Sequence, residues 1–269
     1  MKSGLTRNET HETPETAQDD LYIFTSYLWE AEYDPERPTS SGRHICLPFH
    51  RDRLIVSAES LGWSDALRVL RGPAEFKYFL VKIEARIDAQ DSPDVRYRKV
   101  KAGLNKKTEF FIETTPLVFD PGSLTLQPSS LGEIEAANRR PCMLKLDTEA
   151  IVPSIHTKHK TSERSQYDRA RKIAGISHIS PNVAEVMLFN PDNEIMECSM
   201  STPYFWRASS WVTPPLSSGG NAGVTRRIAL ESGLCKEEIV KVENLQHGEK
   251  ICVSNGVRGF NPAILQLRD

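Results

Sequence analysis

An α+β fold in two parts is what the sequence predicts, on three observations. In the first half, strand-like runs at Leu21–Leu28, Arg96–Val100 and Thr108–Thr114 alternate with stretches of helical spacing. From Cys142 onward strand-like runs recur at Cys142–Leu146, Val186–Asn190 and Ile195–Phe205, with helices between them. Between the halves, 120–140 is rich in Pro, Gly, Ser and charge. At 269 residues the chain is long enough for one large domain or two of ordinary size. The expected organisation is a disordered tail over 1–20, an N-terminal α+β domain over 21–119, an interdomain linker over 120–140 and a C-terminal domain over 141–269.

The elements follow in order. Residues 1–20 are polar and lack the apolar run of a secretory signal. Leu21–Leu28 (LYIFTSYL) is aromatic and β-branched, hence a strand, and Glu30–Gly42, with Pro35 and Pro38, is a loop. His50–Gly62 places Leu54, Ala58 and Leu61 at helical spacing, with Gly62 as C-cap. Phe76–Ile87 is a second amphipathic helix. Arg96–Val100 and Thr108–Thr114 pair around the polar turn Asn105–Lys107. After the apolar strand Cys142–Leu146, a helix is expected over Glu163–Ala174, between Ser162 as N-cap and Gly175 as C-cap. Val186–Asn190 and Ile195–Phe205 form a hairpin about Pro191–Glu194, and a last helix runs over Thr225–Ser232.

Charge narrows the function classes. Lys plus Arg total 34 against 36 Asp plus Glu, a net charge of -2. Nucleic acid as the main partner needs a basic excess, so it is excluded, while a local basic pocket for a small anion is compatible. No stretch approaches the ~20 apolar residues of a membrane span. The five cysteines, Cys46, Cys142, Cys198, Cys235 and Cys252, are widely spaced with no CxxC pair. Neither a zinc site nor a disulfide framework is indicated, and a reducing, cytoplasmic setting is expected.

Several residues invite a functional reading that their spacing alone does not decide. Ser217–Arg227 (SSGGNAGVTRR) is a glycine-rich turn running into a helix, where free N–H groups and the helix dipole make an anion site. It is neither a Walker A loop nor a GxGxxG turn, and an ordinary loop before a helix reads the same way. Ser254–Gly259 (SNGVRG) has similar character. Lys160 precedes a helix, where most lysines are solvated surface charges. His156 and His159 lack an HExxH pattern and a third ligand, so no metal is expected. Glu197, in the apolar run IMECSMSTPYF, is either exposed or paired with a buried cation.

Together these segments resemble the class IV aminotransferases, the fold-type IV pyridoxal 5'-phosphate (PLP) enzymes, and within them the fungal 4-amino-4-deoxychorismate lyases. The resemblance is carried by LPFHRDRLIVSAESLGW (47–63), LDTEAIVPSIHTKHKTSERSQYDRARKIAG (146–175) and the stretch from EVMLFN (185) to VSNGVRGF (260). It implies a D-amino-acid aminotransferase-like α+β fold with a smaller N-terminal α/β domain and a larger C-terminal domain of β-barrel-like core. It further implies that Lys160, four residues before Arg164, carries the cofactor as a Schiff base, and that Glu197 hydrogen-bonds the pyridine nitrogen. Arg53 corresponds to the phosphate-binding arginine. Val224 and Thr225, with Ser254 and Asn255, correspond to the two loops that complete the phosphate cup. Arg258, Arg96, Arg98 and Tyr27 are the substrate-binding candidates, and a homodimer is implied.

The reaction implied is elimination of pyruvate from 4-amino-4-deoxychorismate, leaving 4-aminobenzoate, or a closely related elimination on an amino substrate, with Lys160 as base. Transamination of an amino acid or amine on the same scaffold is the first alternative, and a cofactor-free binding protein the second. This chain departs from the family's usual wording in carrying Glu32 before Tyr33-Asp34-Pro35, where an Arg is common, and Cys198 where a smaller residue is.

Overall fold

Alternation along two long strands sets up the first layer of the protein, a computed structural model that describes residues 21–31, 42–90, 95–117, 129–136 and 140–267. Strand β1 (Tyr22–Ala31) pairs antiparallel with β2 (Gly42–His44) and β3 (Tyr97–Asn105), and β3 with β4 (Phe110–Pro116), giving the sheet order β2-β1-β3-β4. Ile23, Tyr27 and Trp29 of β1 and Val100, Ala102 and Leu104 of β3 point to one face. There they meet helices α1 (Leu47–Ser60), α2 (Ser64–Arg71) and α3 (Pro73–Asp88) through Leu54, Ala58, Ala66, Leu70, Phe79, Ile83 and Ile87. Burying each of the Leu, Ile, Val and Phe side chains among them stabilises the fold by about 1.5–3 kcal/mol. Gly62 follows α1 at φ 67°, the left-handed conformation that ends helices. Helix α2 was not expected from sequence. It is short, and only Ala66 and Leu70 are buried on it, one turn apart.

The second layer is an eight-stranded sheet. Its strands are β5 (Cys142–Leu146), β6 (Ala184–Phe189), β7 (Ile195–Cys198), β8 (Thr202–Arg207), β9 (Ser210–Thr213), β10 (Lys236–Glu237), β11 (Lys250–Asn255) and β12 (Gly259–Gln266). They are ordered β10-β9-β8-β11-β12-β5-β6-β7. The sheet curls until its two ends meet: Ile195 N–H donates to Val240 O at 2.8 Å, and Glu194 bridges Lys241. Leu144, Met187, Phe205, Ile251 and Leu265 fill the interior. Helix α4 (Leu131–Ala136) falls within the segment expected as a linker and packs Leu131 and Ile134 beside Trp211 and Phe260. The rest of that segment up to 128 and over 137–139, with residues 1–20 and Glu32, lies outside the described residues.

Two expectations need correction. Ile195–Phe205 is not one strand: the chain breaks at Ser199–Ser201 between β7 and β8, because these residues turn inward onto the buried Glu185. Ser162 does not cap a helix. Its N–H donates to Tyr22 O and its hydroxyl accepts from Tyr22 N–H, so α6 starts later, at Ser165, and runs to Ile173. Gly175 does follow it at φ 69°. A short helix α5 (Ile155–Lys158) precedes it, closed by a capping box between Ser154 and Thr157. The last helix, α7, is Val224–Glu231.

Candidate active site

The face of β1 and β3 turned away from the helices forms one wall of a cavity of about 320 Å³. Ser26 lies opposite Lys101 and Leu28 opposite Lys99, and paired residues of antiparallel strands share a face. The parity that buries Val100 and Ala102 under the helices therefore turns Phe24, Ser26, Lys99 and Lys101 toward the cavity. The Lys160 segment, Glu197–Thr202 except Cys198, the start of α7 and the turn after β11 close it.

Backbone pairing places Lys160. Phe24 N–H donates to Lys160 O at 2.9 Å and Thr161 bridges Ile23, so the segment is stitched to β1. Lys160 Nζ comes to 5.1 Å from the centroid of the Phe24 ring. Burial, then the charges of Arg53 and Arg164, hold this amine well below the usual lysine range, against the opposing pull of Glu197. Burial pushes the Glu197 carboxyl up to about 6, while a hydrogen bond from Tyr167 and the nearby Lys160, Arg164 and Arg53 restrain it. Tyr167, on α6, donates to Glu197 Oε1 at 2.6 Å. Burial and that carboxylate raise its phenol above the ordinary tyrosine value.

At the other end Arg53 of α1 donates to Asn221 Oδ1. Burial lowers its guanidinium to about 10, so it remains charged at neutral pH. Its Nε is buried with no hydrogen-bond partner among the described residues. A buried donor left unsatisfied costs about 1–3 kcal/mol, which a ligand acceptor would recover. Helix α7 begins beside it with no side-chain cap, leaving its first N–H groups and dipole for an anion. Ser254 Oγ donates to Thr225 Oγ1 at 2.8 Å and lies 2.8 Å from the Tyr204 hydroxyl. Asn255 Oδ1 accepts from the N–H groups of Val257 and Arg258, shaping the next turn. At Gly256 a Cβ would stand 2.8 Å from His50 Cε1 and 3.0 Å from Ser26 O, so only glycine lets the turn sit this close.

The Ser199–Ser201 wall has its own support. Glu185, fully buried, accepts from Ser199 Oγ at 2.9 Å, Met200 N–H at 3.0 Å and Ser201 Oγ at 2.8 Å. Arg171 donates to Ser199 Oγ at 3.0 Å, and Arg164 to Ser199 O at 2.8 Å.

Of the residues singled out in the sequence, Lys160, Glu197, Arg53, Val224, Thr225, Ser254, Asn255 and Arg258 all line this cavity. Tyr27, Arg96 and Arg98 do not. Tyr27 is on the helix-facing side of β1, its hydroxyl 2.8 Å from His44 Nδ1. Arg98 is buried on the same side and donates to Gln90 O at 2.7 Å, and Arg96 is exposed and pairs with Glu30 at 3.0 Å. Strand parity instead brings in Lys99 and Lys101, which alternate with apolar Val100 and Ala102, a signal the sequence carried. Tyr167 and Asn221 had no such signal. His156 Nδ1 lies 3.0 Å from Thr161 Oγ1, and no group of three His, Cys, Asp or Glu is placed for a metal among the described residues.

Residues 24–264 match the profile described as amino-transferase class IV. The chain belongs to that family. A Schizosaccharomyces pombe protein provisionally named aminodeoxychorismate lyase is 27% identical over 232 residues, covering 84% of this chain and 87% of that one. Among solved structures, a provisionally assigned amino-acid aminotransferase from Mesorhizobium loti superposes with TM-score 0.65 at 22% identity, covering 91% of this chain and all of its own. A protein from Legionella pneumophila provisionally named 4-amino-4-deoxychorismate lyase gives TM-score 0.65 at 12% identity, covering 98% and 89%.

Class IV aminotransferases are PLP-dependent enzymes, and a neighbour of this fold holds that cofactor. The cavity fits it. A phosphate dianion suits the orphaned Arg53 Nε and the uncapped start of α7. The depressed amine of Lys160 suits the aldehyde, and a buried carboxylate suits a protonated pyridine nitrogen.

Proposed function

We propose that this class IV enzyme is a PLP-dependent lyase converting 4-amino-4-deoxychorismate to 4-aminobenzoate and pyruvate. The observation that carries the reading is the charge of the cavity wall. Leaving aside the depressed amine of Lys160, Arg53, Lys99, Lys101, Arg164 and Arg258 face it against Glu113 and Glu197 among the described residues, an excess beyond what one phosphate needs. A substrate with two carboxylates answers that excess. The likeness to the fission-yeast relative points the same way.

In this reading Arg53, Val224, Thr225, Ser254 and Asn255 would hold the cofactor phosphate, Lys160 would bond its aldehyde carbon, and Glu197 would serve its ring nitrogen. When bound, PLP supplies an electron sink for the pair left on the substrate's amine-bearing carbon. As a free amine Lys160 is disposed toward its uncharged form by burial and its two arginine neighbours, which would let it take the proton from that carbon. Glu197, whose carboxyl burial pushes up to about 6, would as a carboxylate help keep a proton on the ring nitrogen. The proton on Lys160 is then available to the enolpyruvyl group as its carbon–oxygen bond to the ring breaks and pyruvate departs. The ring left behind is aromatic, which makes the elimination strongly downhill, so the protein mainly places the base.

Incubation with 4-amino-4-deoxychorismate tests this: equal amounts of pyruvate and 4-aminobenzoate are expected, with no keto acid required. The second reading is a transaminase, favoured by the family itself. A need for a keto acid, with pyridoxamine phosphate accumulating, would establish it instead. The proposal extends to a cytoplasmic homodimer, supported by the resemblance and by five free thiols, and sedimentation velocity tests the dimer.

A further inference from the structure

Most of the cavity's cations already have an occupation. Lys101 lies across the strands from Glu113, its Nζ 3.5 Å from Oε2. Arg164 donates to Ser199 O. Arg53 and Lys160 belong to the cofactor in the reading above. Two remain. Lys99 has Leu28 and Thr115 as cross-strand neighbours, neither charged, and its ammonium has no hydrogen bond or ion pair among the described residues. Arg258 has a buried Nε with no hydrogen-bond partner among the described residues.

The backbone brings these two together. Leu28, the residue opposite Lys99, donates its N–H to Gly256 O at 3.2 Å, which docks the turn carrying Arg258 onto β1 beside Lys99. We propose that Lys99 and Arg258 form a clamp for a substrate carboxylate, and that the substrate class is an amine bearing a carboxylate remote from its reacting nitrogen. Burial and then the charge of Arg258, with Lys101 and Arg164, depress the Lys99 amine against the opposing pull of Glu113, so an anion beside the pair would favour its charged form. A guanidinium offers that anion a two-pronged grip and a lysine a point charge. The inference rests on the lyase reading for the identity of the carboxylate: the ring carboxylate of 4-amino-4-deoxychorismate lies across the ring from its amine and survives in 4-aminobenzoate.

The test is calorimetric binding of 4-aminobenzoate and of the uncharged 4-aminobenzamide to the PLP-loaded enzyme. The wild type is expected to favour the acid at least ten-fold. Lys99→Met should bring the ratio near one with cofactor absorption and Tm unchanged, and Lys99→Arg should restore it. Arg258→Met provides a second arm if Lys99→Met does not fold. No preference in the wild type, no binding of the acid, or a preference that survives both Met variants overturns the clamp. A parallel pyruvate assay separates the two readings. A Lys99-dependent preference without pyruvate keeps the clamp and retires the lyase, whereas pyruvate release with an unaltered preference does the reverse.

Discussion

Tyr167 donates its phenolic hydrogen to Glu197 Oε1 at 2.6 Å, joining the helix after Lys160 to the strand that carries the acid. The bond opposes what burial does to Glu197. Burial pushes the carboxyl up to about 6, and the hydrogen bond pulls it down. Without the phenol the acid would protonate near neutral pH and lose its hold on a ring nitrogen.

Tyr167→Phe should therefore move the acid limb of the pH–rate profile upward. A hydrogen bond to a charged group is worth about 1.5–3 kcal/mol, and a pKa unit about 1.4 kcal/mol, so the shift should be about one to two units. Turnover should fall several-fold at pH 7 and recover toward pH 9. A limb that stays in place with a uniformly lower rate would show that Tyr167 serves the fold rather than Glu197.

Arg53→Ala should weaken PLP binding by about 1.5–3 kcal/mol, roughly ten- to 150-fold, the usual worth of a hydrogen bond to a charged group. The variant should fold, since the guanidinium's hydrogen-bond partner among the described residues is Asn221 Oδ1. Equilibrium dialysis of the apoprotein against PLP measures it, and an unchanged affinity would remove Arg53 from the phosphate site.

Lys160→Met should abolish turnover and stabilise the apoprotein at neutral pH. The folded-state pKa of this amine lies well below its unfolded value. Below both values the protein bears the full cost of burying the charge, and that cost fades as pH rises toward the free-lysine value near 10.5. The Tm of Lys160→Met should thus exceed that of wild-type apoprotein at pH 7, with the gap narrowing by pH 10. A gap independent of pH would mean that the amine is not the source.

Much of this architecture was legible in the sequence because local signals decide it. Cys142–Leu146 is a strand at the expected bounds, and Gly62 and Gly175 take the positive φ that helix ends call for. Alternation of Lys99 and Lys101 with Val100 and Ala102 fixes which cations face the cavity, whereas charge alone does not tell them from Arg96 and Arg98. What escaped depends on partners distant in sequence. Ser162 looks like an N-cap until Tyr22 takes both its N–H and its hydroxyl. Residues 195–205 look like one strand until Glu185 draws Ser199 and Ser201 inward. Glu197 could be read as exposed or paired, and only the fold supplies Tyr167.

That inward turn gives the last prediction. Glu185 holds three donors of the Ser199–Ser201 segment, and its carboxylate has no exposed surface. Arg171 still holds Ser199 Oγ, so Glu185→Ala should weaken the inward turn without undoing it and leave Met200 N–H and two hydroxyls without their acceptor. Each unsatisfied buried donor costs about 1–3 kcal/mol, so a clear fall in Tm is expected. Glu185→Gln keeps an acceptor while adding two hydrogens where donors already point, and should recover only part of the loss. The segment also receives Arg164, one of the two arginines that depress Lys160. If Glu185 serves the site as well as the fold, Glu185→Gln should raise KM and displace the basic limb of the pH–rate profile. A lowered Tm with unchanged kinetics in the folded fraction would confine Glu185 to a structural role.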